Sequence, residues 1–227
     1  MARPLQRLFD VAEGQWGLCT RQQARQAGVG ASSLARLTDD GLLERVAHGV
    51  YRVRGAAEPD HLDLRAAWLQ LEPGIPAWER VRVAGVAIVS HVSAASLYGV
   101  GDLRADVHEL TLPVRRQTRR TDVRLHRGLV PDEQWILLHG LPTTRAGRMI
   151  ADLLDDHVEP ASVAQITAEV VHRVLDYPGT IAERIGPYAV RFGFRRGDGV
   201  ALLEHLLTLA DYSDRDQMVA VARGDEP

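Results

Sequence analysis

The chain has 227 residues and a mass of 25.0 kDa, which fits one large domain or two small ones. With 45% hydrophobic and 25% charged residues, it can form a folded core, which excludes a mainly disordered protein. The longest apolar run, 83–89, is too short to cross a membrane, and no secretory signal follows the N-terminus. Cys19, the single cysteine, excludes an internal disulfide bond and a cysteine-based zinc site. We therefore expect a cytoplasmic protein.

The charge is distributed unevenly along the chain. All 27 basic residues are arginine, and the formal net charge is −3. The net charge is +3 over residues 1–54 and +5 over 113–150, but −4 over 55–112 and −7 over 151–227. Two basic regions in an acidic chain predict local contacts with polyanions.

The first 55 residues have the pattern of a complete small domain. Their apolar spacing and their glycine and proline positions predict three helices at 4–13, 21–27 and 31–38, with Thr20 capping the second. Alternation over 42–46 and 50–53 predicts a β-hairpin. Three helices followed by a hairpin are typical of a winged helix-turn-helix domain, which we predict over residues 1–55.

A second domain is predicted over residues 60–227, after a linker at 55–59. Its predicted helices are 62–71, one from Ser90 or His91 to Gly99, 144–156, 160–176, 180–192 and 198–211. Its predicted strands are 83–90, 107–113, 122–127 and 134–139, in a mixed or antiparallel sheet. The acidic tail from Ser213 is expected to fray. The fold class is therefore α+β, with a helical C-terminal third.

The third helix is the strongest candidate for reading DNA. Its apolar residues Leu34 and Leu37 predict a buried face, and Arg36 on the outer face can contact a guanine edge. The start of the second helix and the hairpin can contact phosphates. The predicted DNA contacts are Thr20, Arg21, Gln22, Ser32, Ser33, Arg36, Arg45, His48, Arg52 and Arg54. The alternative is a three-helix domain that contacts proteins.

A second basic patch lies across a predicted hairpin. It consists of Arg115, Arg116, Arg119, Arg120, Arg124 and Arg127. Such a cluster can bind phosphates, or it can pair with the acidic last third of the same chain. Phosphate binding and pairing within the chain are both compatible with the sequence.

Signals for an enzyme are weak. The histidines do not have metal-ligand spacing, and the glycine-containing segments 99–101 and 197–199 are too short for a dinucleotide-binding loop. His91 is interpreted as a capping or packing residue rather than a catalytic base. The acidic residues Asp152, Asp155 and Asp156 are interpreted as a solvated or salt-bridged helix face rather than a metal site. We expect no catalytic residues, metal or cofactor.

An ordered series of segments resembles the AbiEi-type antitoxins of bacterial toxin–antitoxin operons. In the N-terminal part the series consists of 22–28 (QQARQAG), 33–37 (SLARL), 41–46 (GLLERV) and 49–52 (GVYR). Further along it consists of 90–95 (SHVSAA), 97–99 (LYG), His126-Arg127, 140–144 (GLPTT) and 148–153 (RMIADL).

The resemblance implies a DNA-binding N-terminal domain that represses its own operon at an inverted-repeat promoter site. It also implies a C-terminal domain that counteracts a nucleotidyltransferase toxin. Some relatives carry an endonuclease-like C-terminal domain instead, which uses a catalytic lysine. This chain contains no lysine, which argues against nuclease activity. The alternative function is a stand-alone winged-helix regulator whose C-terminal domain senses a ligand or dimerises.

Overall fold

The structure, a computed structural model, describes residues 2–224 and divides the chain into two compact units, 1–87 and 88–227. Helices and sheets are mixed throughout, which confirms the α+β class. The predicted linker at 55–59 lies inside the first unit, because the helix that follows it groups with the N-terminal residues. The division therefore falls about thirty residues later in the chain than the sequence predicted.

Over residues 2–87, the N-terminal unit contains five helices and three short strands. In chain order these are α1 (Ala2–Glu13), β1 (Leu18–Thr20), α2 (Arg21–Gln26), α3 (Ala31–Asp39), β2 (Leu43–Ala47), β3 (Val50–Val53), α4 (Leu62–Leu71) and α5 (Ala77–Arg80). The predicted helix–helix–helix–hairpin order is present, with β1 as an additional strand. Leu8, Leu34 and Leu37 form part of one buried core, as their helical spacing predicts.

The three strands form an antiparallel sheet in the order β1-β3-β2. Cys19 and Tyr51 are paired across β1 and β3 and belong to the core formed with α1, α2 and α3. Because side chains alternate along a strand, the neighbouring pair Leu18 and Arg52 points to the opposite face. Helix α4 packs against all three strands, so this small sheet has structure on both faces.

The C-terminal unit has a five-stranded mixed sheet and a helical last third. Its strands are β4 (Ile88–Val89), β5 (His108–Leu112), β6 (Val123–Arg127), β7 (Trp135–Leu138) and β8 (Leu141–Thr144), in the order β6-β5-β4-β8-β7. Its helices are α6 (His91–Tyr98), α7 (Ala146–Asp155), α8 (Pro160–His172), α9 (Pro178–Ile185), α10 (Gly199–Leu209) and α11 (Arg215–Arg223). Short 3₁₀ segments occupy Asp132–Gln134 and Gly186–Phe192.

Three predicted elements are wrong in this unit or at its border. The strand predicted over 83–90 is reduced to Ile88–Val89, and Val83 is 48% exposed. Strands β5 and β6 pair in parallel, so the basic segment between them is a crossover connection and not a hairpin. Most of the tail predicted to fray from Ser213 forms helix α11 over Arg215–Arg223, and its last three positions, 225–227, lie outside the described residues.

Within the described part of the chain, no helix combines the length and the apolar character needed to cross a membrane.

Candidate nucleic-acid interface

Helix α2 begins at a capping box formed by Thr20 and Gln23. The Gln23 N–H donates to the Thr20 hydroxyl at 3.1 Å, and the Thr20 N–H donates to the Gln23 side chain at 2.9 Å. The Thr20 hydroxyl in turn donates to the carbonyl oxygen of Pro73. Thr20 is therefore the predicted helix cap, and because it is fully buried we leave it out of the proposed interface.

A buried glutamine pair, which sequence reasoning missed, holds α2 against the segment before α5. The Gln15 side-chain amide donates to the side-chain oxygen of Gln23 at 2.7 Å, and the Gln15 side-chain oxygen accepts from the Ala77 N–H at 3.2 Å. Gln23 also donates to Ile75 at 3.4 Å. The spacing Thr20-x-x-Gln23 is a capping-box pattern that the sequence alone can indicate. The role of Gln15 could not be predicted, because it depends on contacts with residues about sixty positions away.

Gln22 lies on the side of α2 that meets this same segment. A Cβ atom on Gly74 would come within 2.5 Å of the Gln22 amide nitrogen, so the two residues are in close contact. Gln22 is nevertheless exposed to solvent, as is its neighbour Arg21. Both residues therefore remain part of the candidate interface.

Helix α3 presents a polar outer face. Leu34 and Leu37 are buried against the core, while Ser32 and Arg36 are exposed and Ser33 is half-buried. This arrangement follows from helical spacing, because residues three apart share the inward face. An exposed arginine and serines on the second helix of a helix-turn-helix match the side-chain chemistry that reads base edges and phosphates.

The hairpin turn brings basic residues to the start of α2. The Arg21 N–H donates to the Gly49 carbonyl at 2.8 Å, which fixes the turn against the first residue of the helix. Arg45 donates from Nη2 to Nδ1 of His48 at 3.1 Å, and both side chains are exposed. Arg21, Arg45 and His48 therefore form the basic surface of this turn, which we call the wing cluster.

Arg52 is placed differently from the rest of the hairpin. Its guanidinium pairs with Glu44 at 2.7 Å and with Glu58 at 2.9 Å. The hydrogen bond from Arg52 holds the pKa of the Glu44 carboxyl below its usual range. Because two carboxylates neutralise Arg52 on the sheet face opposite Tyr51, we leave it out of the proposed interface.

Arg54 follows the last strand of the hairpin and is exposed. Its backbone N–H donates to the Leu42 carbonyl at 3.0 Å. A Cβ atom on Gly41 would come within 3.0 Å of the Arg54 guanidinium, so this side chain lies over the turn between α3 and β2. Arg54 keeps its place in the candidate interface.

The six arginines of the second basic patch divide into two groups. Arg120 pairs with Asp122 and lowers the pKa of that carboxyl to about 2, and Arg124 binds both carboxylate oxygens of Asp156 at 2.6 Å. Arg115, Arg116, Arg119 and Arg127 are exposed. Pairing with the acidic last third therefore accounts for Arg124, whereas Arg120 pairs with an acidic residue two positions away.

A buried polar cluster surrounds the start of α6. The rings of His91 and His126 stack at 3.6 Å with an angle of 12° between their planes. Nδ1 of His91 lies 2.9 Å from the Ser90 hydroxyl, and Nε2 of His126 lies 3.0 Å from a Glu109 carboxylate oxygen. Since Ser90 is fully buried and His91 is 6% exposed, this arrangement packs α6 onto the sheet, in agreement with the packing role predicted for His91.

Acid is expected to destabilise the C-terminal unit through His91. Burial and the adjacent His126 lower the pKa of His91 to about 4, whereas an unfolded histidine titrates near 6.5. The folded unit binds fewer protons than the unfolded chain between these values, so the free energy of unfolding should fall as the pH drops from about 6.5 to about 4.

Thermal unfolding of the wild type and of His91→Asn at several pH values between 4 and 8 measures this effect. Asparagine suits the site because His91 has a φ of +53°, a left-handed conformation that asparagine tolerates. The wild type should lose stability on acidification more steeply than the variant. Equal losses in both proteins would contradict the assignment to His91.

The three acidic residues predicted to share a helix face have different environments, and Asp156 lies directly after the end of α7. Asp152 is buried and accepts from Arg148 at 2.7 Å, and burial raises the pKa of its carboxyl to about 6. Asp155 is exposed, and Asp156 is paired with Arg124. Among residues 2–224, no group of three or more histidine, cysteine or acidic side chains is arranged to bind a metal ion.

Comparison with known proteins finds a family match in the N-terminal part of the chain. Residues 6–54 match a family model described as "Transcriptional regulator, AbiEi antitoxin". The match runs from within α1 to the residue after β3 and confirms the resemblance over the winged-helix elements. No curated protein sequence matches the chain.

Proposed function

Because residues 6–54 match the AbiEi family of antitoxin transcriptional regulators, we propose that this protein represses its own toxin–antitoxin operon and neutralises a nucleotidyltransferase-type toxin. In this proposal the protein is a non-enzymatic, cytoplasmic regulator. The observation that carries it is the coincidence of the family match with an exposed polar face on α3 and a basic wing cluster.

The charge of the N-terminal unit supports a local DNA contact. Residues 1–87 contain 11 arginines and 10 acidic residues, so the unit as a whole is almost neutral. Arg21, Arg45 and His48 nevertheless meet at one turn, and Arg52 is neutralised elsewhere. A local basic cluster beside a polar helix fits a protein that docks on the DNA backbone and reads bases at one place.

In the proposed complex, α3 enters the major groove and the wing cluster contacts phosphates. Arg36 contacts a guanine edge, and Ser32 and Ser33 contact bases or adjacent phosphates. The exposed N-terminal residues Arg21 and Gln22 of α2 contact the backbone beside the groove. Paired half-sites in an inverted repeat suit two copies of such a domain.

The double variant Ser33→Ala/Arg36→Ala is expected to weaken binding to the promoter upstream of its own gene by roughly 5- to 150-fold, because one good base contact contributes about 1–3 kcal/mol. Gel-shift titration at two salt concentrations, with a scrambled competitor, measures the change. Arg82→Ala removes an exposed arginine of the same unit outside the matched segment and is expected to bind like the wild type. Full affinity in the double variant would exclude α3 as the reading helix.

Toxin neutralisation is tested separately from DNA binding. When the full chain is co-expressed with a nucleotidyltransferase encoded next to its gene, it should restore growth. The Ser33→Ala/Arg36→Ala variant should still protect the cells, because its substitutions lie in the proposed DNA-reading helix. Loss of protection in that variant would mean that neutralisation depends on promoter binding.

A stand-alone winged-helix regulator is the second candidate function. It is favoured by the extent of the family match, which ends at residue 54 and leaves the C-terminal unit outside it. The absence of a neighbouring toxin gene, together with promoter-selective binding, would support this candidate. Promoter-selective binding with growth rescue supports the antitoxin.

A further inference from the structure

The two edge strands of the C-terminal sheet differ in how they are protected. Strand β6, at one edge, carries the basic residues Arg124, His126 and Arg127. Strand β7, at the other edge, consists of four apolar residues, Trp135–Leu138, with no charge and no proline. Charged side chains and proline are the usual means by which an edge strand avoids pairing with another chain. Strand β7 lacks both.

The turn between β7 and β8 fixes which backbone groups of β7 face outward. The two-residue turn 139–140 has positive φ at both positions, so the pair that closes it is hydrogen-bonded. Hydrogen-bonded pairs alternate along an antiparallel ladder, which directs the N–H and C=O groups of Leu138 and Ile136 toward β8. The N–H and C=O groups of Leu137 and Trp135 therefore point away from β8.

The side chains on this edge are also incompletely covered. Leu137 is 55% exposed, and Trp135 is half-buried. Because residues two apart in a strand share one face, Trp135 and Leu137 form an apolar strip beside the outward backbone groups.

We propose that β7 pairs with β7 of a second copy of this chain, antiparallel and about a two-fold axis at Ile136. In that register Trp135 lies opposite Leu137 of the partner subunit, and Leu137 lies opposite Trp135 of the partner subunit. The outward N–H and C=O groups of these residues form four hydrogen bonds across the axis. The two five-stranded sheets join into one sheet, and the apolar strips cover each other.

Charge favours a second copy as the occupant of this edge. The strand carries no charge, so its self-pairing opposes no like charges. Self-pairing of β6 would instead place its arginines beside those of the other copy. Of the two edges of this five-stranded sheet, β7 is therefore the self-complementary one, as a two-fold interface requires.

The consequence is a dimer that exists without DNA. It supplies two N-terminal units, which is the number that paired half-sites need. The inference goes beyond the proposed function and does not rest on it, because the association is measured with the protein alone.

Sedimentation equilibrium of the full chain tests the dimer. The wild type should sediment at twice 25.0 kDa, and Leu137→Arg should sediment as a monomer. In the proposed register each arginine would lie opposite Trp135 of the partner subunit, and the two arginines would be diagonal neighbours on one face of the joined sheet. Leu209→Arg is the matched control, since Leu209 is 47% exposed in the same unit, and it should remain a dimer. A monomeric wild type, or a dimeric Leu137→Arg, would overturn the proposal.

A disulfide cross-link tests the register. Opposite residues in a non-hydrogen-bonded pair have Cα atoms about 4.5 Å apart, a separation that a disulfide can bridge. Oxidised Ile136→Cys should therefore migrate as a covalent dimer, and Leu209→Cys should not. Cys19 does not interfere, because it is fully buried and burial raises its pKa to about 12. Equal cross-linking of the two variants would exclude the β7 axis.

Discussion

Gly199→Ala is expected to lower the free energy of unfolding of the C-terminal unit by about 3 kcal/mol or more, because overpacking against backbone atoms cannot be relieved by a side-chain movement. Gly199 is the buried first residue of α10. A Cβ atom at this position would overlap the carbonyl oxygen of Ala182 and lie 2.6 Å from its carbonyl carbon. It would also lie 3.0 Å from the backbone nitrogen of Gly186. Helix α10 can accept the methyl group only by moving away from α9.

The appropriate control for this substitution is Gly193→Ala. Gly193 has a φ of +84°, and no heavy atom lies within 4 Å of a Cβ atom built there. This variant carries only the conformational cost of a left-handed alanine, roughly 1–2 kcal/mol. Chemical denaturation followed by circular dichroism measures both proteins. A smaller loss of stability in Gly199→Ala than in Gly193→Ala would contradict the close approach of α9 and α10.

Elements with a strong periodic signal could be predicted from the sequence. Helix α3 is predicted because Leu34 and Leu37 share one face, and α6 because Ser90 and Gly99 mark its two ends. The hairpin β2–β3 is predicted from alternation around the glycine at its turn. In these cases the local sequence determines the element almost completely.

Elements that depend on distant contacts could not be predicted. Strand β1 has three residues, too few for a periodic signal, and is defined by its pairing with β3. The parallel pairing of β5 and β6 depends on the arrangement of the whole sheet, whereas the short connection between them suggested a hairpin. Periodicity identifies strands, but it does not specify their partners.

In the candidate interface, too, the residues whose environment depends on distant contacts could not be predicted from the sequence. The exposed side of α3 follows from its own sequence, so Ser32 and Arg36 could be placed correctly. Thr20 could not, because its hydroxyl is covered by Pro73, fifty-three positions away. Arg52 has the local pattern of a wing residue, yet Glu58 beyond the hairpin helps to neutralise it. Residue type predicts what a side chain can bind, and the fold determines which partner it meets.

Trp68→Ala is expected to destabilise the N-terminal unit by about 3–5 kcal/mol, the usual cost of removing a fully buried large aromatic side chain. Trp68 lies in α4 and is 0% exposed. Its indole N–H donates to the Ala87 carbonyl at 2.8 Å, and the Arg80 guanidinium lies 3.8 Å from the ring centre. Trp16 packs edge-on against the same ring at 6.1 Å.

The same variant decides where the N-terminal unit ends. The sequence predicted a boundary before α4, whereas the structure groups α4 with the winged helix. If α4 belongs to the same unit as the winged helix, the Trp68→Ala substitution should destabilise the unit that binds promoter DNA. Chemical denaturation measures this loss of stability. Trp68→Phe keeps an aromatic ring but leaves the Ala87 carbonyl without its donor. We expect it to lower the free energy of unfolding by about 1–3 kcal/mol. The difference between the two variants separates the contribution of the hydrogen bond from that of the packing. Wild-type promoter affinity and stability in Trp68→Ala would show that the winged helix folds without α4, and would restore the boundary at residues 55–59.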